Sequence, residues 1–202
     1  MTVNIAVLVS GRGSNLQAII DNVENGRIKG AKINVVISSK AEAYALERAR
    51  KHGIQAVFLD PKRYEKPEYD QAILNILESY KTDLVLLAGY FRILGSEIIA
   101  AYRNRILNIH PSLLPAFKGL HAQRQALEYG VKLAGCTVHF VDDGLDSGPI
   151  ILQKGVPVLS GDCEETLAER ILVQEHLIYP EAVRLFVEGK LKVQDRKVII
   201  LD

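Results

Sequence analysis

A chain of 202 residues fits one domain and buries roughly 70% of the surface its unfolded form exposes, so a full apolar core needs no disulfide or metal as a staple. Lys plus Arg number 25 against Asp plus Glu 24, leaving a net charge of +1 and a pI near 7.8, with no global field to hold a polyanion; this argues against a nucleic-acid partner. Cys136 and Cys163 are too few for a disulfide framework and predict a reduced, cytoplasmic setting, while no apolar run approaches the roughly 20 residues of a membrane helix.

The apolar start, residues 1–10, lacks a basic leader and a small-residue cleavage site, and Gly11 interrupts it after a strand's length, so a first strand is expected there and not a signal peptide. The aliphatic and β-branched runs 5–9, 33–37, 56–59 and 84–88 predict strands buried on both faces. Between them Leu16, Ile19, Ile20 and Val23, then Ala43, Leu46 and Ala49, then Ile73, Leu74 and Leu77 each fall on one helical face. This alternation implies a parallel sheet with right-handed crossovers and a mononucleotide-binding first half. After the run 106–109 the pattern changes. Runs 133–141 and 150–158, separated by Asp142-Asp143-Gly144, predict an antiparallel hairpin added as an edge. Asp162, Glu164 and Glu165 open a long helix carrying Leu167, Ile171, Leu172 and Ile178, with a kink expected at Pro180. The expected class is α/β and Rossmann-like, a mostly parallel twisted sheet with an antiparallel C-terminal hairpin and a long C-terminal helix. It is read as a single domain, 1–202, in halves 1–100 and 101–202.

Ser10-Gly11-Arg12-Gly13-Ser14-Asn15 lies between the first strand and the first helix, where a tight glycine turn offers the free N–H groups of a helix start to a phosphate. Leu16 stands where a dinucleotide fingerprint has its third glycine, and the second strand ends in Ser38-Ser39 instead of an acidic ribose ligand, which argues against NAD. The competing reading is that Gly11 and Gly13 only make the turn while Ser14 or Asn15 caps the helix.

Asn108 and His110, two apart in a strand, share one face, and Pro111 extends the backbone at the strand end where open α/β sheets bind ligands. An amide and an imidazole suit a developing oxyanion, and histidine passes protons near neutrality; a histidine beside proline also serves as a plain turn residue. Asp146 either pairs with this histidine and supports its charged form or sits in a solvated acidic turn. Glu175 follows helical spacing with Ala168, Leu172 and Tyr179 and points inward, wanting a substrate amine or hydroxyl, or an internal cation. His121 and Arg124 open the helix after the reactive segment and lie either on a cleft or at a surface helix start. His52, His139 and His176 have no ligand spacing with one another or with a cysteine, so no metal is assigned.

G-x-G-S-N after the first strand, L-A-G-Y-F-R-I-L at 87–94, N-I-H-P-S-L-L-P at 108–115, and the hairpin sequence D-x-L-D-S-G-P-I-I-L-Q together resemble the folate-dependent formyltransferase family, and within it the phosphoribosylglycinamide formyltransferases. The resemblance covers essentially the whole chain. It implies a formyltransferase fold, 10-formyltetrahydrofolate as co-substrate, no metal, small-molecule substrates only, and a monomer or homodimer. It implies a catalytic trio of Asn108, His110 and Asp146. Arg12, Gly13, Ser14, Asn15 and Leu16 match the ribonucleotide phosphate loop, and Glu175 matches an acidic residue holding the same substrate. Lys66, Phe91, Arg92, Ile93, Leu94, Asn108, Val141, Asp142, Asp143 and Gly144 match the folate site. Arg12 stands where Asn or Thr is usual, Phe91 where Met is usual, and the segment around Lys66 is shorter than in the family.

The implied chemistry is attack of the glycinamide amine on the formyl carbon, with Asn108 and protonated His110 stabilising the oxyanion and Asp146 favouring the charged ring. Ser112 has no evident base and two nearby prolines, so no covalent intermediate is expected. The rivals are formylation of methionyl-tRNA, hydrolysis of formyltetrahydrofolate, and a non-catalytic nucleotide-binding module.

Overall fold

The computed structural model describes residues 2–202, so of the expected opening segment only Met1 lies outside the described residues. The chain divides into two compact units, Met1–Asn108 and Ile109–Asp202.

The first unit runs β1 (Val3–Val9), α1 (Ser14–Glu24), β2 (Ala31–Ser38), α2 (Tyr44–Lys51), β3 (Gln55–Phe58), α3 (Lys66–Ser79), β4 (Leu84–Leu87), α4 (Ser96–Ala101) and the opening residues of β5 (Ile106–His110). Its strands pair in parallel in the order β3-β2-β1-β4-β5, the order of a Rossmann sheet. Ile5, Ala6, Val7, Leu8 and Val9 are wholly buried, as a strand flanked by two others and covered by helices must be. β3 departs from the expected burial on both faces. It is the outermost strand here, and Phe58 is 42% exposed. α4 and a 3-10 turn at Pro61–Arg63 were not anticipated; α4 has six residues and buries only Ile98 and Ile99, too little for a helical period to show.

The second unit carries α5 (Ala122–Tyr129), β6 (Leu133–Phe140), β7 (Ile150–Pro157), α6 (Glu164–Val187), β8 (Leu191–Gln194) and β9 (Lys197–Ile200). β6 and β7 are antiparallel as expected, in register from Leu133↔Pro157 to His139↔Ile150. Two details differ from expectation. Residues 141–149 form a broad loop instead of a tight turn at Asp142-Asp143-Gly144. β7 is also not an edge: β9 joins it in parallel, and β8, antiparallel to β9, lies outermost. α6 continues through buried Pro180, and its row Leu167, Ile171, Glu175 and Tyr179 is buried. Long amphipathic packing on β6 and β7 thus overrides the breaking tendency of an internal proline.

Candidate active site

His110 ends β5, and Pro111 keeps its backbone extended, so the ring sits at a fixed point at the carboxyl end of a strand. The ring is buried and both nitrogens face acceptors: Nε2 lies 2.9 Å from the Phe117 carbonyl oxygen, and Nδ1 lies 3.4 Å from Asp146 Oδ2. A neutral imidazole donates to one of these; a doubly protonated ring has a donor for each. Asp146 therefore pairs with the histidine, which decides between the two sequence readings of that residue. The carboxylate is anchored from the other side as well, because Oδ2 accepts the Gly119 N–H at 2.8 Å. Asp146 itself adopts φ 45, a left-handed conformation that aspartate tolerates better than most residues.

His139 on β6 completes this cluster and was missed in the sequence, where it was weighed only as a metal ligand. Its Nε2 lies 3.7 Å from Asp146 Oδ1, and its Nδ1 donates to the Phe140 carbonyl at 2.7 Å. Burial is the largest influence on its ring and lowers its pKa below the ordinary histidine value; Asp146 and the Phe140 carbonyl pull the other way, and His110 adds to the lowering. The available signal was a histidine inside the uninterrupted buried run of a strand, a position that demands polar partners.

The loop after His110 is held by its own hydrogen bonds. Thr137 Oγ1 donates to the Ser112 carbonyl at 2.7 Å and accepts the Leu114 N–H at 3.1 Å and Gln153 Nε2 at 2.9 Å. Gln153 Nε2 also reaches the Leu114 carbonyl at 2.9 Å, and Ser112 Oγ donates to the Ala116 carbonyl at 2.6 Å. Ser112 is thus a buried structural hydroxyl, and the Leu114–Pro115 bond in this loop is cis.

In the glycine-rich turn the helix cap is Gly13, not Ser14 or Asn15. Gly13 adopts φ 72 and contributes no side-chain cap. A Cβ at Gly13 would lie 2.6 Å from the Ala45 Cβ, so the glycine serves both the left-handed backbone and the close approach of α2. The Ala45 N–H donates to the Gly11 carbonyl and Arg48 Nε to the Arg12 carbonyl, which fixes the turn while the Arg12 side chain stays exposed. A helix start without a side-chain acceptor is suited to an external anion. Asn15 and Leu16 are buried beneath the turn.

After β4, Phe91 and Ile93 are 67% and 70% exposed while Leu94 is buried. The Phe91 N–H donates to Ser10 Oγ, and the Arg92 guanidinium lies 4.9 Å from the centre of the Tyr69 ring. Lys66 forms an ion pair with Asp70 one turn along α3. Val141 and Asp142 are half-buried, and Asp143 and Gly144 are exposed; Asp142 Oδ1 accepts the Gly144 N–H and the Ser147 hydroxyl, shaping the loop that carries Asp146. Asn108, half-buried on β5, shares its strand with His110.

Glu175 is buried on α6, as its helical spacing predicts. Its charge also reaches Cys136 on β6, whose thiol is pushed up to about 12 by burial first and by Glu175 second. Cys163, at the start of α6, is exposed. His121 and Arg124 both face Glu164, at 3.7 and 2.9 Å, on an exposed helix start. Among the described residues no group of three or more His, Cys, Asp or Glu side chains is spaced to hold a metal ion, and no helix is long and apolar enough to cross a membrane.

The formyl transferase family model matches residues 3–183. The chain is 48% identical over 193 residues to phosphoribosylglycinamide formyltransferase of Escherichia coli (strain K12), covering 95% of this chain and 91% of that protein. It is 46% identical over 190 residues to the trifunctional purine biosynthetic protein adenosine-3 of Homo sapiens, covering 94% of this chain but 19% of that longer protein. Among solved structures, glycinamide ribonucleotide transformylase 1 from Symbiobacterium toebii superposes with a TM-score of 0.98 at 57% identity, over 100% of this chain and 95% of that one.

Proposed function

The chain belongs to the formyl transferase family, among the phosphoribosylglycinamide formyltransferases, and from that premise we propose that it moves the formyl group of 10-formyltetrahydrofolate to the amine of 5′-phosphoribosylglycinamide in de novo purine (IMP) biosynthesis. The products are formylglycinamide ribonucleotide and tetrahydrofolate. The observation that carries the reading is the buried ring of His110, held between the Phe117 carbonyl and the Asp146 carboxylate at the end of a strand.

In the proposed reaction the glycinamide nitrogen attacks the formyl carbon and a new C–N bond forms. Negative charge gathers on the formyl oxygen, where the Asn108 amide and the His110 ring donate hydrogen bonds, and Asp146 supports the charged ring. The bond to folate N10 then breaks, and the proton lost by the attacking amine passes to that nitrogen by way of His110 or a water held by Asp146.

The ribonucleotide phosphate is assigned to the start of α1, at Arg12, Gly13, Ser14, Asn15 and Leu16, supported by the absence of a side-chain cap there. Glu175 is assigned to the same substrate; its burial on α6 suits a carboxylate that meets an amine or hydroxyl. The folate is assigned to Lys66, Phe91, Arg92, Ile93, Leu94, Asn108, Val141, Asp142, Asp143 and Gly144. Large exposed apolar side chains at Phe91 and Ile93 support this, since a flat heterocycle would cover surface otherwise left to water. The chain is proposed to work as one formyltransferase domain in the cytoplasm, as a monomer or homodimer.

The test is to mix the protein with 10-formyltetrahydrofolate and follow release of tetrahydrofolate with and without the ribonucleotide. Release that requires the ribonucleotide is expected. Equal release in its absence indicates a hydrolase, and no release under either condition indicates a binding module.

A further inference from the structure

The carbonyls of the glycine-rich turn are pinned from behind by α2. The Gly11 carbonyl accepts the Ala45 N–H at 3.2 Å, and the Arg12 carbonyl accepts Arg48 Nε at 2.9 Å. In a trans peptide the N–H points opposite to the carbonyl of the preceding residue. Holding the Arg12 carbonyl against α2 therefore aims the Gly13 N–H the other way, at the start of α1.

Arg48 is itself fixed by a chain of side chains that crosses between α2 and α1. Its guanidinium lies 4.9 Å from the centre of the Tyr44 ring, and its Nη1 donates to Gln17 Oε1 at 3.0 Å. Gln17 Nε2 donates to Asp21 Oδ1 at 2.8 Å and lies 3.1 Å from His52 Nε2. A guanidinium only donates and a carboxylate only accepts, so the amide oxygen must face Arg48 and the amide nitrogen must face Asp21 and His52. His52 Nε2 is then an acceptor. The ring hydrogen sits on Nδ1, which donates to Glu24 Oε1 at 2.8 Å.

This frame admits only the uncharged ring. Glu24 accepts from Nδ1 in either protonation state, whereas a proton on Nε2 sets two donors against each other at 3.1 Å. Turning the Gln17 amide over offers its oxygen to His52, but it also presents the amide nitrogen to Arg48 and gives up Asp21. The charged groups that face His52 are thus Glu24 from α1, and Asp21 and Arg48 by way of Gln17. The strands packed on α2 add only Lys32, at the exposed start of β2, since β3 has no titratable side chain.

We propose that Arg48 is a positioning residue for the ribonucleotide phosphate, and that Gln17 and His52 make its hold on the turn sensitive to pH. The role rests on the phosphate assigned above to that turn. Protonation of His52, within the range of about pH 5 to 8 where histidines change charge, withdraws Gln17 from Arg48 and loosens the Arg12 carbonyl. Binding of the ribonucleotide weakens, while the folate and the formyl chemistry are untouched.

The experiment measures KM for both substrates at pH 8 and pH 5.5 in the parent, His52→Gln and Arg48→Lys. The substrate phosphate titrates alike in all three, so dividing the parent's rise in ribonucleotide KM by that of His52→Gln isolates the ring. The quotient is expected to be about three or more, because a glutamine at 52 accepts from Gln17 at both pH values. In Arg48→Lys one ammonium replaces the planar fork that serves both Gln17 and the Arg12 carbonyl. Ribonucleotide KM is expected to be about tenfold higher at pH 8, with kcat and the folate KM unchanged; equal rises in both KM values would indicate a merely structural role and overturn the inference. Nitrogen-15 spectra of the parent supply a readout without substrate: His52 is expected as the Nδ1–H tautomer at pH 8, and the Arg48 Nε–H signal is expected to shift as His52 titrates. An Arg48 signal that ignores His52, or a quotient of one while Gly13→Ala still raises the ribonucleotide KM, overturns the inference. If the Arg48 signal follows His52 but neither Arg48→Lys nor Gly13→Ala moves that KM, the phosphate's placement at the turn is what fails, and the positioning role falls with it.

Discussion

Asp146 offers its two oxygens to different histidines, one at the end of β5 and one inside β6, and that division sets what each substitution does. Asp146→Asn keeps the shape but removes the charge beside the His110 ring, and His110→Ala removes the ring. Each is expected to lower kcat by roughly 10²–10⁴ with the far-ultraviolet dichroism and melting curve preserved. Near-parent turnover in either variant would sink the assignment. His139 acts on stability. Its pKa is lowered in the folded state, so the unfolded chain binds the extra proton first. The stabilising preference for the neutral ring is full above the ordinary histidine value of about 6.5 and is lost as pH falls toward the lowered folded value. Urea midpoints measured at descending pH below 6.5 should fall less steeply in His139→Gln than in the parent. That Asn108 and His110 lie on one strand was readable from the apolar run around them. The partners of His110 were readable only in part, because the Phe117 carbonyl and the Gly119 N–H are backbone groups presented by left-handed residues, at φ 52 and 77, and such loop geometry leaves no mark in side-chain chemistry.

Elements with a buried face announced themselves and short or half-exposed ones did not. β1 and β4 were legible as unbroken aliphatic runs, and β2 as a run interrupted by the half-buried Asn34, because neighbouring strands and covering helices leave most of their residues no water to face. β8 alternates between half-buried and exposed residues over only four positions, and β9 has one half-buried residue, Val198, among exposed ones, so neither carries a buried run long enough to stand out. The turn before α1 shows how an element can depend on one residue. Gly13→Ala must place a Cβ against Ala45 while keeping a left-handed backbone. The backbone cost alone is about 1–2 kcal/mol, which for a chain of this size lowers Tm by roughly 2–8 °C. The same change should raise KM for the ribonucleotide by shifting α1 against α2, with little change in KM for the folate. Steady-state titration of each substrate separates the two, and equal rises in both would count against a phosphate at this turn.

At the scale of the whole molecule, nearly balanced charge means that ligands are captured by local groups, not by a long-range field. Between 50 and 300 mM salt, kcat/KM for the ribonucleotide should change by only about threefold; a log–log slope of several units would instead indicate a polynucleotide substrate. The parallel α/β character was visible from the alternation of runs and helical faces, but the pairing of β7 with β9 was not, since it joins segments distant in sequence through little more than Ile150 and Lys197. One last consequence concerns the two sulfurs. At pH 8 the Cys136 thiol, pushed up to about 12, is thiolate in only about one molecule in ten thousand and is walled off within β6, whereas Cys163 lies open to reagent. Treated with an alkylating dye, the protein should take one label at once and the second only as fast as β6 exposes itself, so the slow phase times a local opening and should lengthen when substrate is bound. The molecule thus carries its own unfolding clock, wound by nothing more than the burial of one sulfur and the exposure of the other.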